Sequence, residues 1–115
     1  MTTQYEIKQL ESGIKQAKEV AELGNSLERL QSNRDFKRVI GEGYFEQESI
    51  RLVHLKADAN MQTVELQQSI VRQMDAIGAL KVYFRVLMQR SGMALRTIEE
   101  DEETLNELLN GEAAI

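Results

Sequence analysis

The sequence predicts an all-α protein, a small helical bundle of about five helices around one long central helix. The chain has 115 residues and no proline, and Ala, Leu, Glu, Gln, Lys and Arg, the strongest helix formers, are plentiful. With 42% hydrophobic and 29% charged residues, the composition is that of a globular protein rather than a disordered one. From about Thr63 to Arg90, large apolar residues recur at steps of three and four, which is the spacing of one helix face. They are Leu66, Ile70, Met74, Ile77, Leu80, Phe84 and Leu87.

The length fits one domain, so we expect a single helical domain over residues 1–110 and a flexible C-terminal end over residues 111–115. The chain has no cysteine, which excludes disulfides, thiolate metal sites and cysteine nucleophiles. Its first residues carry charges where a signal peptide needs an apolar run, and no stretch is apolar enough to span a membrane. We therefore expect a protein of a reducing compartment that does not contact membranes.

The net charge of −5 is unevenly distributed along the chain. The seven acids after Arg96 have no base among them, and they leave residues 1–96 with 14 bases and 12 acids. A nearly neutral body with an acidic end argues against general affinity for nucleic acid or anionic membranes.

The first predicted helix runs over residues 5–24 and carries a short heptad-like apolar stripe. Gly24 is placed to end this helix in a left-handed cap. The stripe is a candidate protein-interaction surface, and the helix a candidate interaction arm, because small residues permit close approach of another helix. The stripe consists of Ile7, Leu10, Ile14, Ala17 and Ala21.

Four further helices are predicted along the chain. The sequence 25–28 has the form of a capping box and predicts a short second helix, and Ser32 or Asn33 is expected to cap a third that starts near Arg34. Gly41 and Gly43 are expected to interrupt this third helix before it resumes over residues 44–56. A polar turn over residues 57–61 precedes the long helix, which Gly92 is expected to end, and a last helix covers residues 93–110.

No residue pattern identifies a reaction, and we expect neither enzymatic activity nor a cofactor or metal. His54 is the only histidine, and a zinc site would need further ligands of a kind that the sequence does not supply. No paired Glu-x-x-His motif of di-iron bundles occurs, and no serine has the context of a nucleophile elbow.

Two charged clusters remain as candidate interaction sites. The densest basic cluster consists of Arg34, Lys37 and Arg38, and it has few positive charges for a nucleic-acid interface. A helix-turn-helix over residues 25–31 and 34–40 stays open as an alternative, although its recognition helix would meet glycines almost at once. The second cluster is the run Glu99, Glu100, Asp101, Glu102 and Glu103, which is either a solvated helix face or a surface for a basic protein partner.

The middle of the chain, LERLQSNRDFKRVIGEGYFEQESIRLVHLKADANM followed by MDAIGALKVYFR, resembles small uncharacterised helical proteins of tailed bacteriophages. The resemblance covers about Leu27 to Arg85. It implies a phage context, in a virion or the host cytoplasm, with a role in virion structure or assembly, and it transfers no catalytic residue.

The sequence therefore predicts a non-enzymatic, phage-type structural or assembly protein that acts through helix–helix contacts with itself or with other phage structural proteins. The alternative is a small acidic adaptor or inhibitor that uses its C-terminal segment to bind a host or viral enzyme. Nucleic-acid binding is a third and less favoured possibility.

Overall fold

The computed structural model describes residues 2–113, which are almost entirely helical and contain no β-strand. Helix α1 spans Thr2–Ser32. A middle helix follows over residues 34–57, in which α2 (Arg34–Phe36) leads into a π-helix (Lys37–Gln47) and then into α3 (Glu48–Ala57). A 3₁₀ turn (Ala59–Met61) precedes helix α4, which spans Val64–Ala113. The all-α prediction is confirmed, whereas the prediction of a compact bundle of about five helices is wrong: the described residues form three long helices.

Two predicted helix ends do not exist, and this accounts for the difference in helix number. Helix α1 continues through Gly24 and through the predicted capping box, and α4 continues through Gly92. No glycine in the described residues has a positive φ, so neither Gly24 nor Gly92 forms a left-handed cap. A helical glycine costs roughly 1 kcal/mol relative to alanine, which is less than a full helix break would cost in lost hydrogen bonds and packing.

The middle helix begins where the sequence predicts. Asn33 has an extended backbone conformation, and its Oδ1 accepts a hydrogen bond from the backbone N–H of Phe36 at 3.0 Å. Asp35 lies in the first turn, where the helix dipole favours an acid. The predicted cap at Asn33 is confirmed, because this side chain satisfies an amide that the first turn leaves without a partner.

Gly41 and Gly43 do not interrupt the middle helix but lie within its π-helical segment of 11 residues. The backbone N–H of Glu48 bonds to the carbonyl of Gly43, five residues earlier, as a π-helix requires. A Cβ at position 43 would lie 3.3 Å from the carbonyl oxygen of Arg38, whereas one at position 41 would meet nothing within 4 Å. Glycine therefore relieves crowding at one of the two positions.

The connection between the middle helix and α4 is held by side-chain hydrogen bonds to the backbone. Asp58 Oδ1 accepts a hydrogen bond from the N–H of Asn60 at 2.8 Å and so caps the 3₁₀ turn. Gln67 Nε2 donates to the carbonyls of Lys56 and Met61, at 3.0 and 2.8 Å. Since this amide group uses both of its N–H donors here, the two ends of the turn are fixed on the start of α4.

The chain divides into two compact units. The middle unit comprises residues 28–86, and its core is formed by Leu52 of α3 with Ile70 and Ile77 of α4. Beside this core, the ring of Phe84 lies 6.0 Å from Phe36 and 6.1 Å from Phe45, centroid to centroid. Phe36 and Phe45 of the middle helix therefore pack on the long helix.

The terminal unit comprises the described residues 2–27 and 87–113 and pairs the first part of α1 with the last part of α4. Its core contains Ala17, Ala21 and Ala94, with Val20 and Ile98 packed against them. Gly24 lies against Ser91 while Gly13 lies near Asp101, so the two helix segments run antiparallel. Of the predicted flexible end, residues 111–113 belong to α4, and residues 114–115 lie outside the described residues.

Candidate interaction surfaces

Three residues of the predicted N-terminal stripe are buried within this chain. Ile14 is 7% exposed, Ala17 8% and Ala21 6%, whereas Ile7 and Leu10 are half-buried. The two alanines pack against Ala94 of α4. The stripe therefore makes the contact with another helix that its small residues predict, and that helix belongs to the same chain. A role for these residues in binding a separate protein stays a prediction.

The two helices of the terminal unit approach each other closely at Gly24. An ideal Cβ built at this position would overlap the Cβ and Oγ of Ser91 and would lie 3.7 Å from its Cα. Ser91 is itself 5% exposed. The backbones meet here because neither residue has a bulky side chain, so the function of Gly24 is close packing and not helix termination.

The acidic run divides between contacts inside the terminal unit and exposure to solvent. Glu102 forms an ion pair with Lys18 of α1, with 3.3 Å between Oε1 and Nζ. Asp101 is half-buried, and its Oδ2 lies near Gly13, where a Cβ would make an ordinary contact at 3.9 Å. The remaining three acids, Glu99, Glu100 and Glu103, are exposed and have no ion pair with any described residue.

A groove lies between α1 and α4 next to the acidic run. It has a volume of about 370 Å³. Its wall combines apolar and acidic side chains, which suits neither a purely apolar ligand nor an anion. The lining residues are Glu6, Gln9, Leu10, Asp101, Thr104 and Leu108.

The basic cluster lines a cavity of about 390 Å³ at the start of the middle helix. Arg34, Lys37 and Arg38 contribute the positive charge, Glu42 offsets part of it, and Ser32 completes the wall. Residues 25–31 belong to the uninterrupted α1, so the first helix of the proposed helix-turn-helix is not a separate short helix. The geometry thus leaves a small, partly neutralised basic patch.

Apolar side chains are exposed on both helices of the middle unit. On the middle helix, Ile50 is 58% exposed and Val53 56%, although Leu52 between them is fully buried in the core. On α4, Val71 is 39% exposed and Val82 44%. The sequence predicts that these two valines lie off the main apolar face, and it predicts contacts on two sides for residues 44–56. The structure supplies an internal contact on one side of each helix.

One ion pair of the middle unit shifts the acid–base behaviour of its members. Arg51 donates two hydrogen bonds to the carboxylate of Glu48, one turn earlier in α3. These hydrogen bonds and the adjacent positive charge lower the pKa of Glu48, and the same contacts raise the pKa of Arg51. Both side chains are solvent-accessible, so the pair is a local feature of α3.

Metal-binding side chains do not cluster in the described residues. His54 is exposed, and no group of three or more metal-binding side chains occurs in residues 2–113. Within the same range, no helix is long and apolar enough to cross a membrane. The exposed apolar faces and the two charged clusters are surface features of this part of the chain that suit contact with another molecule.

Comparison with known proteins finds no relative of this chain. No family model matches the chain, no curated protein matches it, and no solved structure matches it. The resemblance of residues 27–85 to phage proteins accordingly stays a prediction.

Proposed function

We propose that this chain is a non-enzymatic structural or assembly protein that acts through helix–helix contacts. Its partners are copies of itself and, in the tailed-phage setting that the resemblance of residues 27–85 implies, other structural proteins of a virion or an assembly intermediate. Its location would then be the virion or the host cytoplasm. The observation that carries the proposal is the exposed apolar surface on both helices of the middle unit.

The amount of exposed apolar surface supports this proposal. Single exposed apolar side chains are normal on a soluble protein, whereas neighbours on one helix face, such as Ile50 and Val53, favour an interaction surface. On the middle helix and on the α4 segment of the middle unit, six large apolar side chains are more than 40% exposed, and four of them are valines. Because they lie on helices, the partner surface that fits them best is another helix. The six are Val39, Ile50, Val53, Val64, Val82 and Tyr83.

Light scattering over a range of protein concentrations tests this function. We expect association that Val71→Asp weakens, since a carboxylate introduced among apolar side chains would lose its hydration on binding. Val71 is 39% exposed, so the substitution should leave the helical circular dichroism unchanged. A chain that is monomeric at every concentration and also fails to bind isolated virion or prohead components would contradict the proposal.

A second candidate function is that of an acidic adaptor or inhibitor of a host or viral enzyme. The observation that favours it is the exposure of Glu99, Glu100 and Glu103 without an ion pair in the described residues. Such a surface would attract a basic groove and speed its association. Replacing these three residues by Gln removes the charge and keeps Asp101 and Glu102 in their contacts with α1.

A pull-down with the wild type and this triple variant separates the two functions. Specific capture of an enzyme by the wild type, lost in the variant and in high salt, would favour the adaptor. Salt of about 0.5 M is suitable, since it screens charges that are more than a few ångströms apart. Capture that is unchanged by the three substitutions would exclude the acidic run as the binding surface.

A further inference from the structure

The cavity at the start of the middle helix has the size and the charge of a site for a small anion. Its volume of about 390 Å³ falls within the range of about 300–1,000 Å³ that is typical of small-molecule sites. The described residues that line it include no apolar side chain, and three bases against one acid give the wall a net positive charge. They are Ser32, Arg34, Lys37, Arg38 and Glu42.

The three bases are placed against the local preferences of a helix. Arg34 and Arg38 are four residues apart, and like charges at this spacing repel each other and destabilise the helix. Arg34 and Lys37 also lie in the first turn, where the helix dipole disfavours positive charge. Within the described residues, none of the three bases has an ion pair that would offset these costs. A bound anion offsets both, so a ligand accounts for a charge pattern that folding alone disfavours.

The backbone of this cavity is a second feature that sets it apart from the charged surfaces on the regular α-helices. Lys37, Arg38 and Glu42 belong to the π-helical segment Lys37–Gln47. Such segments are rare and occur frequently at functional sites. The crowding between Gly43 and the carbonyl oxygen of Arg38 lies in the same part of the segment.

We propose that this cavity binds a compact polyphosphate through Arg34, Lys37 and Arg38. A guanidinium group matches phosphate geometry, because it donates two parallel hydrogen bonds to the oxygens of one phosphate. The hydroxyl of Ser32 supplies a further donor. Glu42 offsets one of the three positive charges, which favours several linked phosphates over a single one.

The charge of the whole chain favours a compact ligand over nucleic acid. A net charge of −5 repels a long polyanion that extends beyond the cavity. Free polyphosphate and the phosphate chain of a nucleotide present the same groups, and the described wall offers no apolar or aromatic surface to a base. The site uses none of the exposed apolar side chains on which the proposed function rests, so either proposal can fail without the other.

Isothermal titration calorimetry of the full chain with inorganic tripolyphosphate tests the proposal. We expect binding by the wild type and a loss of affinity of about a hundredfold or more in a cluster variant, since several charge-assisted hydrogen bonds are removed. The cluster variant replaces the three bases of the cavity by Gln. A control variant removes the same charge from exposed positions of α4, and its affinity should stay within about threefold of the wild type. Its substitutions are Arg72→Gln, Arg85→Gln and Arg90→Gln.

Folding and the source of the phosphate are checked with the same proteins. Gln and Arg are similar helix formers, so the circular dichroism of both variants should match that of the wild type. Tripolyphosphate should raise the melting temperature of the wild type and of the control variant but not that of the cluster variant, because it binds the folded state. ATP without a metal ion should bind within about threefold of tripolyphosphate, and adenosine should not bind.

Three results would overturn the proposal. One is a wild type that neither binds tripolyphosphate nor is stabilised by it. The second is an equal loss of affinity in the cluster and control variants, which would show a response to net charge alone. The third is tighter binding of a short DNA duplex than of tripolyphosphate, which would identify a nucleic-acid surface instead.

The acid of the cavity gives a change in the opposite direction. Glu42→Gln should tighten tripolyphosphate binding by about twofold or more, since it removes a negative charge that faces the ligand. Glu46→Gln removes an exposed charge outside the lining and should leave the affinity unchanged. Weaker binding by Glu42→Gln would contradict the proposed position of the phosphates, because a repelling group cannot strengthen their binding.

Discussion

The two compact units of this molecule differ in the size of the residues at their helix–helix contacts. In the terminal unit the buried contacts include a cluster of small residues, Ala17, Ala21 and Ala94, and Gly24 lies directly against Ser91, although the larger Ile14, Leu27 and Leu87 are buried there as well. In the middle unit they are made by large ones, with Leu52 completely buried and Ile70 2% exposed. Both units join a segment of α4 to another helix, so the difference lies in the side chains rather than in the type of element.

This difference determines where each unit is sensitive to substitution. A contact between small residues leaves no space for added atoms, so it should be sensitive to an increase in size. A contact between large residues depends on the surface they bury, so it should be sensitive to truncation. Truncating a residue in the middle unit and enlarging one in the terminal unit therefore test the difference most directly.

The largest effect is expected from Leu52→Ala in the middle unit. Truncating a fully buried leucine costs roughly 2–5 kcal/mol in unfolding free energy, through lost burial and the cavity that remains. Urea unfolding followed by circular dichroism measures the change. Ile50→Ala on the same helix is the matched control, since Ile50 is 58% exposed and should change stability by about 0.5 kcal/mol or less. Equal effects of the two substitutions would contradict the assignment of the core face.

The second effect is expected from Gly24→Ala in the terminal unit. Alanine is the better helix former by about 1 kcal/mol, but its Cβ would overlap Ser91, and overpacking costs typically about 1–3 kcal/mol. We expect net destabilisation by up to about 2 kcal/mol in the same urea experiment.

Two further variants show whether the effect of Gly24→Ala comes from its contact with Ser91. Gly92→Ala adds the same methyl group where nothing lies within 4 Å, so it should stabilise the protein by up to about 1 kcal/mol. Ser91→Gly should restore much of the loss when combined with Gly24→Ala, because it removes the atoms that the new Cβ overlaps. If Gly24→Ala were as stabilising as Gly92→Ala, the close approach of the two helices would be refuted.

These two units also show what the sequence can predict. The helical class, the stripe on the long helix and the cap at Asn33 follow from local spacing and local hydrogen bonds, and the structure confirms them. Whether a helix ends at a glycine cannot be predicted from the neighbouring residues alone. Gly24 is equally suited to a left-handed cap and to close packing, and the residue that decides, Ser91, is distant in the chain.

The candidate surfaces were predictable to a similar extent. The stripe over residues 7–21 marks a helix-binding face, but the pattern does not reveal that α4 of the same chain covers part of it. The π-helical segment also has no sequence signal beyond its two glycines, since i→i+5 bonding depends on how the middle helix packs. For α3, the apolar residues surround the helix, and only the structure separates the buried Leu52 from the exposed Val53.

The ion pairs also differ between the units, and they give the smallest expected effect. Lys18–Glu102 joins two helices in the terminal unit, whereas Glu48–Arg51 lies within α3 of the middle unit. Hydrogen bonds from Arg51 hold the pKa of Glu48 below its ordinary value of 4.5. A lowered carboxyl pKa means that the pair stabilises the folded state above that ordinary value, and that this contribution is lost as the pH falls through the lowered pKa.

We therefore expect Glu48→Gln to lower the melting temperature slightly at neutral pH and to have no effect once the pH lies below both pKa values of this carboxyl, folded and unfolded. Thermal unfolding followed by circular dichroism at the two pH values measures the difference. Glu46→Gln, which removes a neighbouring exposed charge, is the control and should leave the melting temperature unchanged at both. A Glu48→Gln effect of the same size at low pH would show that the ionised carboxylate is not the source of the stabilisation, since Gln keeps the same side-chain stem.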